Sequence, residues 1–178
     1  MMRFLFAVVS VFALASSAAK AADKNTLYLD LKSGRVIIQL RPDLAPKHVE
    51  RIKKLTKEGF YNGLKFHRVI TGFMAQTGDP TGTGTGGSKL PDLPAEFTAT
   101  PFKRGTLGAA RTNDPNTGNS QFFIVLEASA HLNGKYTFFG EVTGGMEHVD
   151  RIKKGSDGSG TVFNPDTIVK MQLASDAK

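Results

Sequence analysis

The sequence of 178 residues contains no cysteine and no tryptophan. Without cysteine the chain can form no disulfide, no thiolate metal site and no thiol nucleophile, and it offers no thiol for lipid attachment. Its four histidines, His48, His67, His131 and His148, show no zinc-site spacing, so we predict neither a metal nor another cofactor. Ser120 lacks the glycine-flanked elbow of many serine hydrolases, although residue counting alone leaves a hydrolase open.

The positive charge of the chain is also not concentrated enough to indicate a nucleic-acid partner. The formal net charge is +7, and the basic residues are scattered except at residues 47–54 and 151–154. Both clusters are interrupted by apolar positions, as on a solvated helix face, and neither is interleaved with the aromatic side chains that a single-strand binder uses. We therefore expect no nucleic-acid partner.

Long apolar runs are rare, and the clearest one lies at the N-terminus. Arg3 precedes the apolar residues 4–15, and small residues follow, with plausible cleavage after Ala19 or Ala21. This is the pattern of a secretory signal peptide, and the run is too short to span a membrane. We predict a cleavable signal over residues 1–21, one domain over residues 22–178, and export, most simply to a bacterial periplasm, without membrane attachment after cleavage. An uncleaved N-terminal anchor is the alternative.

Short strand-like segments dominate the rest of the chain. Residues 26–31 and 36–40 flank a turn and predict an N-terminal hairpin. Pro46 is placed to open a helix that ends near Gly59. Further strands are predicted over residues 65–70, 73–76, 105–110, 120–126, 136–142 and 167–173, with a short helix over 146–153. Because no βαβ alternation is visible, the pattern predicts an antiparallel barrel or sandwich with helices on its ends.

Residues 81–94 form a segment rich in glycine, threonine and proline. Gly82, Gly84 and Gly87 match the spacing G-x-G-x-x-G, which in nucleotide-binding proteins surrounds phosphate with backbone N–H groups. The serine and lysine that follow are in the wrong order for a P-loop, and prolines stand where a helix should begin. We interpret the segment as a flexible surface loop, with nucleotide binding as the weakest alternative.

Residues 66–79, FHRVITGFMAQTGD, are the most informative part of the sequence. Arg68 lies in an apolar, strand-like run, and Phe73, Met74 and Gln76 follow it. One positive donor beside an apolar surface suits a substrate that is held, polarised and rotated rather than cleaved. Taken alone, Arg68 is better interpreted as a surface charge whose methylene groups pack against neighbouring residues than as a functional residue. His67 is predicted to be a hydrogen-bonded structural histidine.

This segment closely resembles the active-site strand and turn of the cyclophilin-type peptidyl-prolyl isomerases. Residues 114–124, DPNTGNSQFFI, resemble the second signature of the family, and residues 132–142, LNGKYTFFGEV, resemble the third. The resemblance extends from Thr26 to Leu173. It implies a mainly β fold, a closed eight-stranded antiparallel β-barrel capped by two α-helices, and catalysed rotation about X-Pro bonds in proline-containing polypeptides. A peptide-binding chaperone or scaffold is the alternative from another class.

The resemblance implies that Arg68 is the catalytic residue. Amide resonance sets a barrier of about 18–20 kcal/mol to rotation about the X-Pro bond, and this resonance is lost in the twisted transition state. A guanidinium aimed at the imide nitrogen would stabilise that state more than either planar state. By the same resemblance, Gln76 holds the substrate backbone and orients Arg68.

The remaining substrate-binding residues are also assigned by the resemblance. Ala110 and the main chain of Arg111 line a groove where an extended peptide can pair with an exposed edge, and Gln121 lies nearby as a polar neighbour. The pocket for the proline ring is formed by Phe73, Met74, Phe123 and Leu132.

Two substrate-binding positions depart from many eukaryotic members of the family. His131 stands where those members carry a tryptophan that is associated with cyclosporin binding, and Tyr136 stands where they carry a histidine. The resemblance therefore gives no ground to expect inhibition by cyclosporin. The loop between Arg111 and Pro115 is one residue longer than in many relatives. Nothing in the sequence indicates an oligomer, and we expect a monomer.

Overall fold

The computed structural model describes residues 24–177, so the signal predicted over residues 1–21 lies outside the described residues. Within the described residues, one antiparallel sheet of eight strands carries two α-helices. The strands are β1 (Thr26–Leu31), β2 (Gly34–Leu40), β3 (Arg68–Ile70), β4 (Met74–Thr77), β5 (Thr106–Ala109), β6 (Phe122–Val125), β7 (Phe138–Gly144) and β8 (Lys170–Leu173). The helices are α1 (Pro46–Lys57) and α2 (Met146–Asp150), with 3-10 helices at Ala130–Leu132 and Ala174–Asp176. Between residues 24 and 177, no helix has the length and apolar character needed to cross a membrane.

The sheet is an open half-barrel, so the expected closed barrel was wrong. Its strand order is β3-β4-β6-β5-β7-β2-β1-β8, which leaves β3 and β8 as its two edges. The segment of residues 161–168 lies between these edges and pairs with the β3 side only through isolated bridges, such as Arg68 with Thr161. Asn164 has a φ of 51°, in the left-handed region, and Pro165 has no N–H to donate. This segment therefore cannot form the continuous ladder that closure requires.

The predicted helices and strands are present, but several are shorter than expected. The strand predicted over residues 65–70 is limited to Arg68–Ile70, and the helix predicted over residues 146–153 ends at Asp150. Beyond that helix, the backbone N–H of Lys153 donates to the Asp166 carboxylate at 2.8 Å. A side chain from the following loop thus takes the donor that a longer helix would have used.

Two apolar clusters lie on opposite faces of the central strands. In β6, Phe122 and Ile124 belong to the larger core, which includes the buried stripe of α1. Phe123 and Val125 alternate with them and belong to a second cluster on the other face. Because side chains alternate across a strand, β6 is buried on both faces. The second cluster also includes Met74, Phe102, Leu132 and Phe138, and it forms the floor of the site described below.

The N-terminus of α1 is capped from a distant loop. Ala45 precedes Pro46 and provides no side-chain cap. Instead, the Glu96 carboxylate accepts the backbone N–H groups of Lys47 and His48 at 3.1 and 3.0 Å, and it lies 2.7 Å from His48 Nδ1. Burial would raise the pKa of Glu96, but these hydrogen bonds outweigh it and lower the pKa. The carboxylate therefore stays ionised at the positive end of the helix.

We expect Glu96→Gln to reduce the free energy of unfolding by about 1–2 kcal/mol at pH 7, because a charged cap is lost. Urea unfolding measures this effect. Glu58→Gln is the matched control, since Glu58 forms an exposed ion pair with Lys54 near the other end of α1. The folded pKa of Glu96 is lowered, so its contribution is present above the unfolded value and is lost as pH falls through the folded value. Equal losses in both variants would contradict the capping role.

Candidate active site

A cavity of about 610 Å³ opens beside the β3 edge of the sheet. This volume lies within the usual range for ligand sites. Its lining includes Arg68, Phe73, Met74, Gln76, Ala110, Arg111, Phe123, His131, Leu132 and Tyr136. The fold thus brings together all the residues assigned by resemblance except Gln121, which lines an adjacent cavity of about 440 Å³. Gln76, Ala110 and Arg111 line both cavities.

The apolar wall of the larger cavity consists of aromatic and aliphatic side chains held by the second cluster. Met74, Phe123 and Leu132 are buried within that cluster, and Phe73 packs against it. The ring of Phe73 lies 5.2 Å from that of His131, between ring centres. Such contacts fix the rings and leave an apolar surface that suits a ring of similar polarity.

Gly108 in β5 creates the space that the Phe123 ring occupies. A Cβ atom at this position would lie 2.3 Å from Cζ of Phe123 and 2.8 Å from Cε1 of Phe102. The Phe102 and Phe123 rings stack with their centres 6.2 Å apart. Phe102 was not among the predicted site residues. It does not line the cavity, and it supports the cavity floor from behind.

Arg111 contributes its side chain as well as its main chain. The guanidinium lies 4.4 Å above the centre of the Tyr136 ring, and it donates to the carbonyl oxygens of Thr112 and Lys135 at 2.9 and 3.0 Å. The side chain therefore joins two loops across the rim of the cavity and holds Tyr136 beside Phe123, whose ring centre is 5.7 Å away.

Arg68 is exposed at the start of β3, directly opposite Gln76 of β4 in the strand register. Its Nε donates to the carbonyl oxygen of Ser159 at 2.9 Å, and its Nη1 donates to Oε1 of Gln76 at 3.4 Å. A guanidinium has five N–H donors. The remaining donors of Arg68 are available at the mouth of the cavity.

Gln76 and Gln121 form a hydrogen-bonded pair of amides behind Arg68. Nε2 of Gln121 donates to the carbonyl oxygens of Gly84 and Gly86 at 3.0 and 2.8 Å. These oxygens can only accept, so Oε1 of Gln121 faces Nε2 of Gln76, at 2.9 Å. Oε1 of Gln76 is then directed at Arg68. The adjacent cavity thus contains the residue that sets the orientation of the Gln76 amide.

The carboxylate of Asp79 orders the glycine-rich loop that follows β4. Asp79 is buried and accepts the backbone N–H groups of Thr81, Thr83, Gly84 and Gly86 at 2.6–3.2 Å. Burial would raise its pKa, but the hydrogen bonds from the loop outweigh this effect and lower the pKa to about 2. The loop wraps around this carboxylate, and Gly82, Thr83 and Gly84 line the cavity.

We expect Asp79→Asn to lower the free energy of unfolding by about 2 kcal/mol at pH 7, because an amide nitrogen cannot accept these donors. Urea unfolding as a function of pH provides the measurement. Since the folded pKa of Asp79 is lowered, the advantage of the wild type should shrink as pH falls from about 4 towards 2. Asp114→Asn is the control, because the exposed Asp114 carboxylate accepts one backbone N–H, that of Asn116. If the difference in free energy of unfolding between the wild type and Asp79→Asn did not change with pH, the proposed role of the Asp79 carboxylate would be contradicted.

Sequence reasoning missed several residues at this site. His67, Thr161 and Val162 also line the cavity, and the Ser159 carbonyl contacts Arg68. The His67 ring is buried, and neither of its nitrogens makes a hydrogen bond of normal geometry within residues 24–177. Burial lowers the pKa of His67. Ser159 lies in the glycine- and serine-rich residues 155–160, and this composition gives no information about the distance between Ser159 and Arg68.

The side chains that line the cavity can hold a peptide and polarise it. Among residues 24–177, no group of three or more histidine, aspartate and glutamate side chains is arranged to hold a metal ion. Arg68 supplies a fixed positive charge, Gln76 supplies an amide, and one wall of the cavity is apolar. Such a site can bind a peptide and stabilise charge that develops at one of its atoms.

Comparison with known proteins agrees with this geometry. The family model described as "Cyclophilin type peptidyl-prolyl cis-trans isomerase/CLD" matches residues 26–173. A probable peptidyl-prolyl cis-trans isomerase of Brucella suis is 52% identical over 185 residues, which cover 97% of this chain and 94% of that protein. Peptidyl-prolyl cis-trans isomerase B of Bacillus subtilis is 45% identical over 134 residues, covering 74% and 92% of the two chains.

Solved structures show the same fold. A Cryptosporidium parvum cyclophilin, crystallised in the presence of the dipeptide Ala-Pro, superimposes with a TM-score of 0.78 at 30% identity, covering 83% of this chain and 98% of that one. A cyclophilin from Hirschia baltica gives a TM-score of 0.79 at 28% identity, covering 88% and 76%. The present chain belongs to the cyclophilin-type family. It is a peptidyl-prolyl cis-trans isomerase, as the sequence resemblance predicted.

Proposed function

We propose that Arg68 is the catalytic residue of this isomerase. Its guanidinium stands at the mouth of the apolar cavity with two donors already engaged and the others free to face a substrate. As the X-Pro bond twists, the imide nitrogen loses its resonance and becomes a better hydrogen-bond acceptor. Donation from Arg68 to this nitrogen is stronger in the twisted state than in either planar state, which is the condition for catalysis.

The cavity would hold the proline ring while the rest of the peptide rotates. Phe73, Met74, Phe123 and Leu132 provide an apolar surface of fitting character. The Ala-Pro dipeptide present with the Cryptosporidium parvum relative supports proline-containing peptides as substrates. The main chain at Ala110 and Arg111 and the polar groups of Gln76, His131 and Tyr136 would bind the residues on either side of the ring.

We expect Arg68→Ala to lower kcat/KM on a proline tetrapeptide about 100-fold or more, because a donor made for the transition state is lost. The affinity for the same peptide should change by less than about 3-fold, since the apolar wall remains. A protease-coupled assay gives kcat/KM, and calorimetry gives the Kd.

Arg35→Ala is the matched control, since Arg35 is also an exposed strand arginine but pairs with Asp30 on β1. It should retain wild-type activity. Refolding of client proteins with and without slow X-Pro steps separates turnover from simple binding. If Arg68→Ala kept full tetrapeptide activity, or helped both kinds of client as well as the wild type does, the catalytic role would be wrong.

We further propose that the domain acts outside the cytoplasm, as a monomer that assists the folding of exported polypeptides. The basis for export is the N-terminal sequence, in which a basic residue, the apolar residues 4–15 and small residues follow one another. The periplasm of a bacterium is the simplest destination.

Expression of the full chain in a Gram-negative host tests the export signal. We expect the periplasmic protein to begin at Lys20 or Ala22 by mass spectrometry, because cleavage follows small residues. Val9→Arg should retain the full N-terminus in the cytoplasm, since a charge interrupts the apolar run. A wild-type product that keeps residues 1–19 would contradict a cleavable signal.

A further inference from the structure

The loop of residues 155–160 is attached beside Arg68 at both of its ends. The backbone N–H of Gly155 donates to the carbonyl of Val69 at 2.9 Å, and the N–H of Val69 donates to the carbonyl of Gly160 at 2.7 Å. Val69 is the residue after Arg68. A Cβ on Gly155 would lie 2.3 Å from the carbonyl carbon of Gly160, so the two ends of the loop are in close contact. The base of the loop is therefore fixed directly against the catalytic strand.

One carboxylate orders the tip of this loop. Oδ1 of Asp157 accepts the backbone N–H and the hydroxyl of Ser159 at 3.0 and 2.6 Å, and the backbone N–H of Gly160 at 3.1 Å. The Gly160 N–H also donates to the carbonyl oxygen of Asp157 at 3.1 Å. These bonds order the turn that contains the Ser159 carbonyl. That carbonyl accepts Nε–H of Arg68 at 2.9 Å.

The bond to Ser159 is the shorter of the two bonds that the Arg68 guanidinium makes, since Gln76 lies at 3.4 Å. A long exposed arginine has many rotamers, and a donor must already be oriented to stabilise a transition state efficiently. Because Nε–H is occupied by Ser159, the terminal nitrogens are the ones directed at the substrate. Whatever fixes Ser159 therefore also fixes the direction of these donors.

We infer that Asp157 is a positioning residue for Arg68: its carboxylate holds the turn of residues 157–160, and the Ser159 carbonyl in this turn orients the guanidinium. This inference rests on the catalytic role proposed above for Arg68. Asp157 itself is exposed and does not line the cavity. The hydrogen bond from Ser159 is the main cause that lowers the pKa of Asp157, so the carboxylate remains ionised under ordinary assay conditions.

We expect Asp157→Ala to lower kcat/KM about 5-fold, because a 5-fold change in rate corresponds to the net free energy of roughly one hydrogen bond. The Kd for the peptide should be unchanged, because the apolar wall is intact. Asp157→Asn should stay within about 2-fold of the wild type, because its amide oxygen can still accept the Ser159 donors. Asp176→Ala is the control: this exposed carboxylate also accepts a serine hydroxyl, from Ser175, but lies in the final 3-10 helix.

A double-mutant cycle separates positioning from a general structural effect. In an Arg68→Ala background, Asp157→Ala should cause no further loss of kcat/KM, since the group that it positions is gone. The Nε–H resonance of Arg68, identified by its absence in Arg68→Ala, gives a readout independent of activity. It should shift in Asp157→Ala and return close to its wild-type position in Asp157→Asn.

Two results would overturn the inference. One is wild-type kcat/KM together with an unshifted Arg68 Nε–H resonance in Asp157→Ala. The other is an equal loss of activity from Asp157→Ala with and without Arg68. If Arg68→Ala instead kept full activity, the catalytic proposal would fail, while the resonance would still report whether Asp157 orients the guanidinium.

Discussion

The active face depends on the direction in which one exposed guanidinium points. Arg68 is held from one side by the Ser159 carbonyl and from the other by Gln76, whose amide is in turn oriented by Gln121 and two loop carbonyls. Each link is an ordinary hydrogen bond of modest net free energy. Together these hydrogen bonds orient the guanidinium without burying it, so Arg68 is both accessible to a peptide and fixed in direction.

The open sheet explains why such a site can exist at this edge. A closed ladder between β3 and β8 would place a regular strand beside Arg68. Instead, residues 161–168 turn at Asn164 and Pro165 and make isolated bridges, and the preceding loop supplies a carbonyl to the guanidinium. The site also needs an apolar wall of aromatic rings. The side chains of β6 alternate between two apolar clusters, so the core on one face of this strand fixes the position of the wall on the other face.

Much of this arrangement was readable from the sequence, because it is local. The segment from Phe66 to Asp79 contains the arginine, part of the apolar wall and the first amide within one strand pair, so its pattern is visible in the order of residues. The strands and helices followed from alternation and from Pro46. What remained hidden is long-range: the support of Phe123 by Phe102, the Gln121 link to the glycine-rich loop, and the approach of Ser159 to Arg68 depend on residues 21 to 91 positions apart. The closed barrel implied by the resemblance was wrong because the glycine, serine and proline residues before β8 interrupt the continuous ladder that closure needs.

The central claim is that terminal nitrogens of Arg68 face the imide nitrogen of a proline seated in the apolar cavity. A crystal structure of the domain with an Ala-Pro peptide tests it most directly. The account predicts the proline ring against Phe123 and Leu132, with a guanidinium nitrogen about 3–3.5 Å from the imide nitrogen and the Ser159 and Gln76 contacts kept. A ring bound in the adjacent cavity, or a guanidinium turned away from the imide while the peptide is bound, would contradict it.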